Sequence, residues 1–257
     1  MSGLRAVVIV VVIAVIGAAA WYFWPEPPRL PPPLPPEAPR VVPAEPQGPQ
    51  HPIAEAPQAT PLPTVKESDP AMRDAISGLI GADAFARYVV PEETLRRIVA
   101  TIDNLPRQAL SADVRPVRPA SGAFAVIGPP DARQIGLDNG SRYDAYVRAL
   151  ASVDSRQLVA TYVHFYPLLQ QAYRELGYPN GYFNDRLVEV IDDLLATPEV
   201  QGPVKLVVPH VLYEYADPDL QSRSAGEKVL LRMGTENEKK VKAKLAEIRA
   251  LVAKEKP

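Results

Sequence analysis

Sixteen of the 41 residues from Pro25 to Val65 are proline, and this stretch limits what the chain can fold into more than any other. Proline fixes φ and carries no backbone donor, so neither a helix nor a sheet ladder is expected here. The segment, residues 25–65, reads as an extended, disordered proline-rich linker, densest at Leu30-Pro31-Pro32-Pro33-Leu34-Pro35-Pro36. At about 3.1 Å per residue it would reach roughly 130 Å fully extended, against nearer 35 Å for a flexible chain of the same length. Its charges are Glu26, Glu37, Glu45 and Glu55 against Arg29 and Arg40, a net −2 that makes it no polybasic membrane clamp. A passive spacer is the expectation. The competing reading is a Pro-x-x-Pro ligand for an aromatic groove on a partner.

The tract follows an uninterrupted apolar run from Ala6 to Trp24 that ends in Trp21, Tyr22, Phe23 and Trp24. Nineteen residues give a helix of roughly 28 Å, close to the hydrocarbon thickness of a bilayer. Residues 6–24 therefore read as a single transmembrane helix. Arg5 and the amino terminus flank one end and the aromatic cluster the other, which puts residues 1–5 in the cytoplasm and the rest outside it. A cleaved signal peptide is the alternative, since Ala18-Ala19-Ala20 offers a small-residue site. The bulky Trp21 that would follow the cut argues for the uncleaved anchor.

Residues 66–257 are long enough for one domain with a real core. Their 25 basic and 26 acidic residues nearly balance, so a nucleic-acid ligand, which calls for a basic face, is not expected. The absence of cysteine removes disulfides, cysteine zinc sites and thiol nucleophiles. The pattern is mainly helical. Leu95, Ile98, Val99 and Ile102 fall at helical spacing between Pro91-Glu92-Glu93, whose acids would occupy a first turn, and Pro106. A second set is Tyr143, Tyr146, Val147 and Leu150. After Asp154, a predicted N-cap, runs a longer stripe from Leu158 to Leu176, with Gly177 as its stop and Pro167 as a kink or break.

Asn184 reads as the cap of a helix bearing Leu187, Val190, Ile191, Leu194 and Leu195. Two capping boxes follow, Ser224-Ala225-Gly226-Glu227 and Thr235-Glu236-Asn237-Glu238. The last helix should dock by Val241, Leu245, Ile248, Leu251 and Val252, with Lys239, Lys240, Lys242 and Lys244 mostly on the opposite side. Short strands are predicted at Ala123 to Ile127, Lys205 to Val208 and Val211 to Tyr215. The fold class is mainly α, a single helical domain with a small antiparallel β element.

Four separate blocks then carry a resemblance. They are Ile102-Asp103-Asn104-Leu105-Pro106; Tyr166-Pro167-Leu168-Leu169 leading to Ala172-Tyr173-Arg174-Glu175-Leu176-Gly177-Tyr178-Pro179; Phe183-Asn184-Asp185-Arg186-Leu187; and Leu230-Leu231-Arg232-Met233-Gly234-Thr235-Glu236-Asn237. Across most of Asp83 to Val252 the chain resembles an uncharacterised bacterial family, domain of unknown function 3014. The resemblance implies a Gram-negative envelope protein with an N-terminal anchor and a variable proline-rich linker. It implies no reaction and no catalytic residues.

Chemistry is left to the residues themselves. The densest polar and aromatic stretch surrounds the Pro179-Asn180-Gly181 turn, and its candidate ligand-binding residues are Tyr173, Arg174, Glu175, Tyr178, Tyr182, Asp185 and Arg186. Helix ends, core tyrosines and local ion pairs explain the same residue types without a ligand. Glu175 with Asp185, or either with Asp217 or Asp219, would supply the two carboxylates of a glycosidase only at separations of roughly 5 to 9 Å. Glu189, Asp192 and Asp193 read as a solvated helix face. His51, His164 and His210 stand apart from one another without ligand spacing, and nucleophile, phosphate-loop and dinucleotide motifs are missing, so no metal and no cofactor is expected. The sequence thus leads to an inner-membrane, single-pass protein with a periplasmic domain that binds or scaffolds, its partner an envelope protein or the cell wall. An enzyme acting on an envelope substrate such as cell-wall glycan is the alternative.

Overall fold

The structure is a computed structural model, described over residues 48–53 and 61–253. The predicted anchor, residues 6–24, lies outside the described residues. Among those described, no helix is long and apolar enough to cross a membrane.

Nine α-helices are described. Asp69–Ile80 (α1), Ala82–Tyr88 (α2) and Thr94–Asn104 (α3) come first, then Asp144–Ala151 (α4), Ser155–Glu175 (α5) and Phe183–Leu195 (α6). Pro218–Gln221 (α7), Ala225–Met233 (α8) and Thr235–Val252 (α9) complete the set. The last helix packs on α4, α5, α6 and α8, and α3 packs on α5 and α6. Val241, Leu245, Ile248 and Val252 bury the predicted stripe of α9 against this core, in which Tyr143, Phe183, Leu187, Leu194 and Leu230 are also closed from water.

The β element is a minimal antiparallel ribbon. Val126–Ile127 (β1) pairs with Gln134–Ile135 (β2), and Leu206–Val207 (β3) with Glu214–Tyr215 (β4). The two hairpins are separate two-stranded sheets, linked by an isolated antiparallel bridge between Gln134 and Lys205. Helices α4 to α6 are therefore the connection between the two hairpins. Leu206, Tyr215, Leu220 and Leu231 form a small second core beneath the ribbon.

Helix ends follow local chemistry, with informative exceptions. Asp154 caps α5 as predicted, accepting from the amides of Arg156 and Gln157 at 3.0 and 2.9 Å, and the Ser224 box is complete in both directions. Pro167 leaves α5 a single helix. Glu93 does not enter the first turn of α3. It precedes the helix with φ 51°, held there because the carboxylate of Asp69 takes the amides of Glu93 and Thr94 at 2.8 and 2.9 Å. Asn184 is not a cap, since α6 starts at Phe183, two residues earlier than that reading requires, with Tyr182 at the N-cap. The second capping box does not form, because Gly234 at φ 78° takes the N-cap of α9. Lys244 is buried rather than solvated, donating to the Val153 carbonyl at 3.0 Å and to Glu247 at 2.6 Å.

The proline-rich linker also departs from a free spacer. Gly48 to Ile53 lies against the domain, with Ile53 and Leu62 packed on the main core.

Candidate functional site

The stretch from Tyr173 to Arg186 runs from the end of α5 through a turn into the first turn of α6. Its side chains divide into an inner network and an outer groove.

The inner network centres on Asp103 of α3, a residue outside the predicted ligand-binding set. Its side chain is 3 % exposed and is met by three donors. Arg107 Nη2 lies at 2.7 Å, Tyr178 Oη at 3.2 Å and Arg186 Nε at 3.2 Å, while Arg186 Nη2 also donates to the Asp103 carbonyl at 2.6 Å. Burial alone would lower the Arg186 pKa, but Glu189 at 2.8 Å and Asp103 outweigh it and hold the guanidinium more firmly protonated. Tyr173 is buried and stacks on Tyr178 with ring centroids 4.6 Å apart at 16°. Its burial pushes the phenol pKa up to about 12. Tyr173, Tyr178 and Arg186 thus tie α3, α5 and α6 together.

Glu175 is turned to the rim, paired with Arg96 at 2.7 Å and accepting from Gln171 at 2.9 Å. Asp185 is committed to backbone amides, described below, and Asp217 caps α7 through the Asp219 amide at 2.9 Å. Glu175, Asp185 and Asp217 thus each already have a partner of their own. On the acidic face of α6, Glu189 pairs with Arg186, Asp192 with Arg249, and Asp193 accepts from Ser224 Oγ at 2.9 Å. No group of three or more His, Asp or Glu side chains is placed to hold a metal among the described residues.

The outer groove is built by Arg174, Tyr182 and Asp185 with residues that sequence reasoning passed over. Asp185 accepts from the amides of Gln50 and His51 at 3.0 and 2.8 Å. Beside it, the buried Asn184 donates to the His51 carbonyl at 2.8 Å and to the Val252 carbonyl at 3.0 Å, and accepts from Tyr162 Oη at 3.0 Å. Gln170 sets the wall by donating to the Gly181 carbonyl at 2.8 Å and accepting from the Phe183 amide at 2.9 Å. Between this wall and the strand of linker lies a cleft of about 340 Å³, lined by Tyr166, Pro167, Gln170, Arg174 and Tyr182 on one side and by Pro49, Pro52 and Ile53 on the other. The available signal was Pro167, a proline inside a helical stripe, next to Tyr166 and one turn before Gln170.

A larger cleft of about 500 Å³ lies across the molecule, between the ribbon and the α8–α9 corner. Ile135, Val204 and Leu231 line it, and Glu238 is its one carboxylate, ion-paired to Lys242 at 3.0 Å. Burial raises the Glu238 pKa, and Lys242 partly offsets this.

With this geometry in place, comparison with known proteins gives a family match. The family model described as Protein of unknown function (DUF3014) covers residues 94–249. The chain belongs to that family. No curated protein and no solved structure matches. The matched span contains α5, α6 and the Asp103 network, whereas Gly48 to Ile53 precedes it.

Proposed function

We propose that this chain is a membrane-tethered binding or scaffold module of a bacterial cell envelope. Residues 6–24 anchor it in the inner membrane with residues 1–5 in the cytoplasm, and the proline-rich span carries the helical domain into the periplasm. The apolar run with its asymmetric flanks supports the anchor. One observation carries the binding role: the α5–α6 face holds a polypeptide by its main chain, through Asp185 and Asn184. A face whose polar groups are aimed at backbone amides and carbonyls, with aromatic rings beside them, suits a protein ligand better than a reacting bond.

Photo-crosslinking in intact cells tests this, with a photoreactive residue at Arg174 of the full chain. A discrete envelope protein or cell-wall adduct is expected, and it should disappear with Tyr182→Ala in a chain whose circular dichroism is unchanged. Absence of any adduct, or recovery of cytoplasmic proteins alone, would overturn the reading.

A further inference from the structure

Asp185 grips two consecutive amides, those of Gln50 and His51. Successive N–H groups of an extended strand point to opposite sides, so one carboxylate reaches both only where the chain bends. The chain does bend at Gln50 and His51. The prolines on either side, Pro49 and Pro52, cannot donate and instead line the cleft opposite Tyr166, Pro167 and Tyr182. The seated segment is therefore a Pro-x-x-Pro unit read in two ways, by donors at its two middle positions and by apolar contact at its ends.

Ile53 adds a third element, packing against the main core. This selects one frame among several. The span holds further Pro-x-x-Pro frames, including Pro36 to Pro39, Pro43 to Pro46 and Pro46 to Pro49, and the residues that follow them are Arg40, Gln47 and Gln50. Only Pro49 to Pro52 is followed by an aliphatic residue.

We propose that the α5–α6 groove recognises bent Pro-x-x-Pro segments followed by an aliphatic residue, and that Gly48 to Ile53 is its resident plug, displaced by such a segment of a partner protein. This names the ligand class of the binding module proposed above and rests on that reading. The middle residues must be other than proline, because both supply a donor. In sequence only residues 54–61 separate the plug from the core-packed Leu62, a short connection that gives it an effective concentration on the order of millimolar. A free peptide therefore competes poorly until the plug is released.

Releasing the plug without touching the groove is possible with Gln50→Pro and His51→Pro, which remove the two donors. The probe is a fluorescent synthetic peptide with the sequence of residues 47–54, titrated by anisotropy onto the full chain in detergent micelles. Binding to the double variant is expected to be at least about tenfold tighter than to the wild type. Adding Asp185→Asn, in protein shown to be folded by its urea midpoint, should return it to the wild-type level or below. A probe carrying proline at both middle positions should not bind. Hydrogen exchange on the wild type supplies the independent measurement: the Gln50 and His51 amides should be protected, and should lose protection with Asp185→Asn. Equal peptide affinity for wild type and double variant, binding of the proline-substituted probe, or unprotected amides would each overturn the proposal. Peptide binding without any adduct in cells would leave the groove standing and remove the envelope-module reading. An adduct in cells without peptide binding would do the reverse.

Discussion

Asp103 shows what one buried carboxylate does here. It gathers Arg107, Arg186 and Tyr178 onto a side chain with almost no access to water. Removing it strands Tyr178 and loosens Arg186, which keeps Glu189 and the residue 103 carbonyl, while the half-exposed Arg107 turns to water, a cost of about 1–3 kcal/mol. Asp103→Ala should lower unfolding stability by that amount in urea titration, while Tyr178→Phe, which removes the bond donated to Asp103 and the one accepted from Arg107, should cost about 1–2 kcal/mol. Lys228 makes the opposite point. It is 3 % exposed, and burial, with Arg232 nearby, lowers its pKa to about 8. The unfolded chain keeps this proton up to about pH 10.5. Between those values the unfolded state binds more protons, so the lysine's cost to stability is full below about pH 8 and is relieved as pH rises toward 10.5. Lys228→Met should thus be more stable than the wild type at pH 7, by up to about 3 kcal/mol, and that advantage should shrink at pH 9.5. Urea midpoints at the two pH values measure it. An advantage equal at both would show that Lys228 does not release its proton in this range. Neither residue was legible from the sequence as a special site, because a buried charge is recognised by which distant groups close over it, and spacing along one helix carries no such information.

At the scale of elements, patterns confined to one turn were readable and those that depend on a neighbour were not. The Asp154 cap and the Ser224 box use atoms three residues apart, and both form. The Glu93 backbone and the Thr235 start are decided elsewhere, by the reach of Asp69 from α1 and by the left-handed Gly234. Strand β2 escaped notice because two residues, Gln134 and Ile135, leave no alternation to detect. The junction of α3 with α8 shows how tightly elements meet. The amide of Gly226 donates to the Leu105 carbonyl at 3.0 Å, and a Cβ at Gly226 would stand 2.6 Å from Leu194 Cδ2 and 3.3 Å from Leu105 Cδ2. Both leucines are fully buried. Alanine gains about 1 kcal/mol in helix propensity, yet overpacking costs about 1–3 kcal/mol. Gly226→Ala should therefore be destabilising by about 1 kcal/mol, measured by its urea midpoint. A stabilised variant would mean that α8 moves away from α3 and α6 without penalty.

For the whole molecule the consequence of a seated plug is reach. The sequence placed the Tyr173 to Arg186 stretch at the centre of polar traffic, but not the linker segment that meets it, since nothing in a proline tract reports which of its frames is bound. If residues 25–47 alone are free to extend, the domain stands at most roughly 70 Å from the end of the apolar run, against roughly 115 Å if the tract is free up to the core-packed Leu62. Displacing the plug would then lengthen the tether as it opens the groove, so that capture of a partner and extension toward it are one event. The chain has no cysteine, which makes a pair of dye labels easy to place. With donor and acceptor at Glu26→Cys and the exposed Asp131→Cys of the full chain in lipid nanodiscs, energy transfer should fall when Gln50→Pro and His51→Pro are added. It should fall in the same direction when the wild type is given an excess of the residue 47–54 peptide. Equal transfer in all three states would show that Gly48 to Ile53 does not shorten the tether, and would separate the groove from any control of distance.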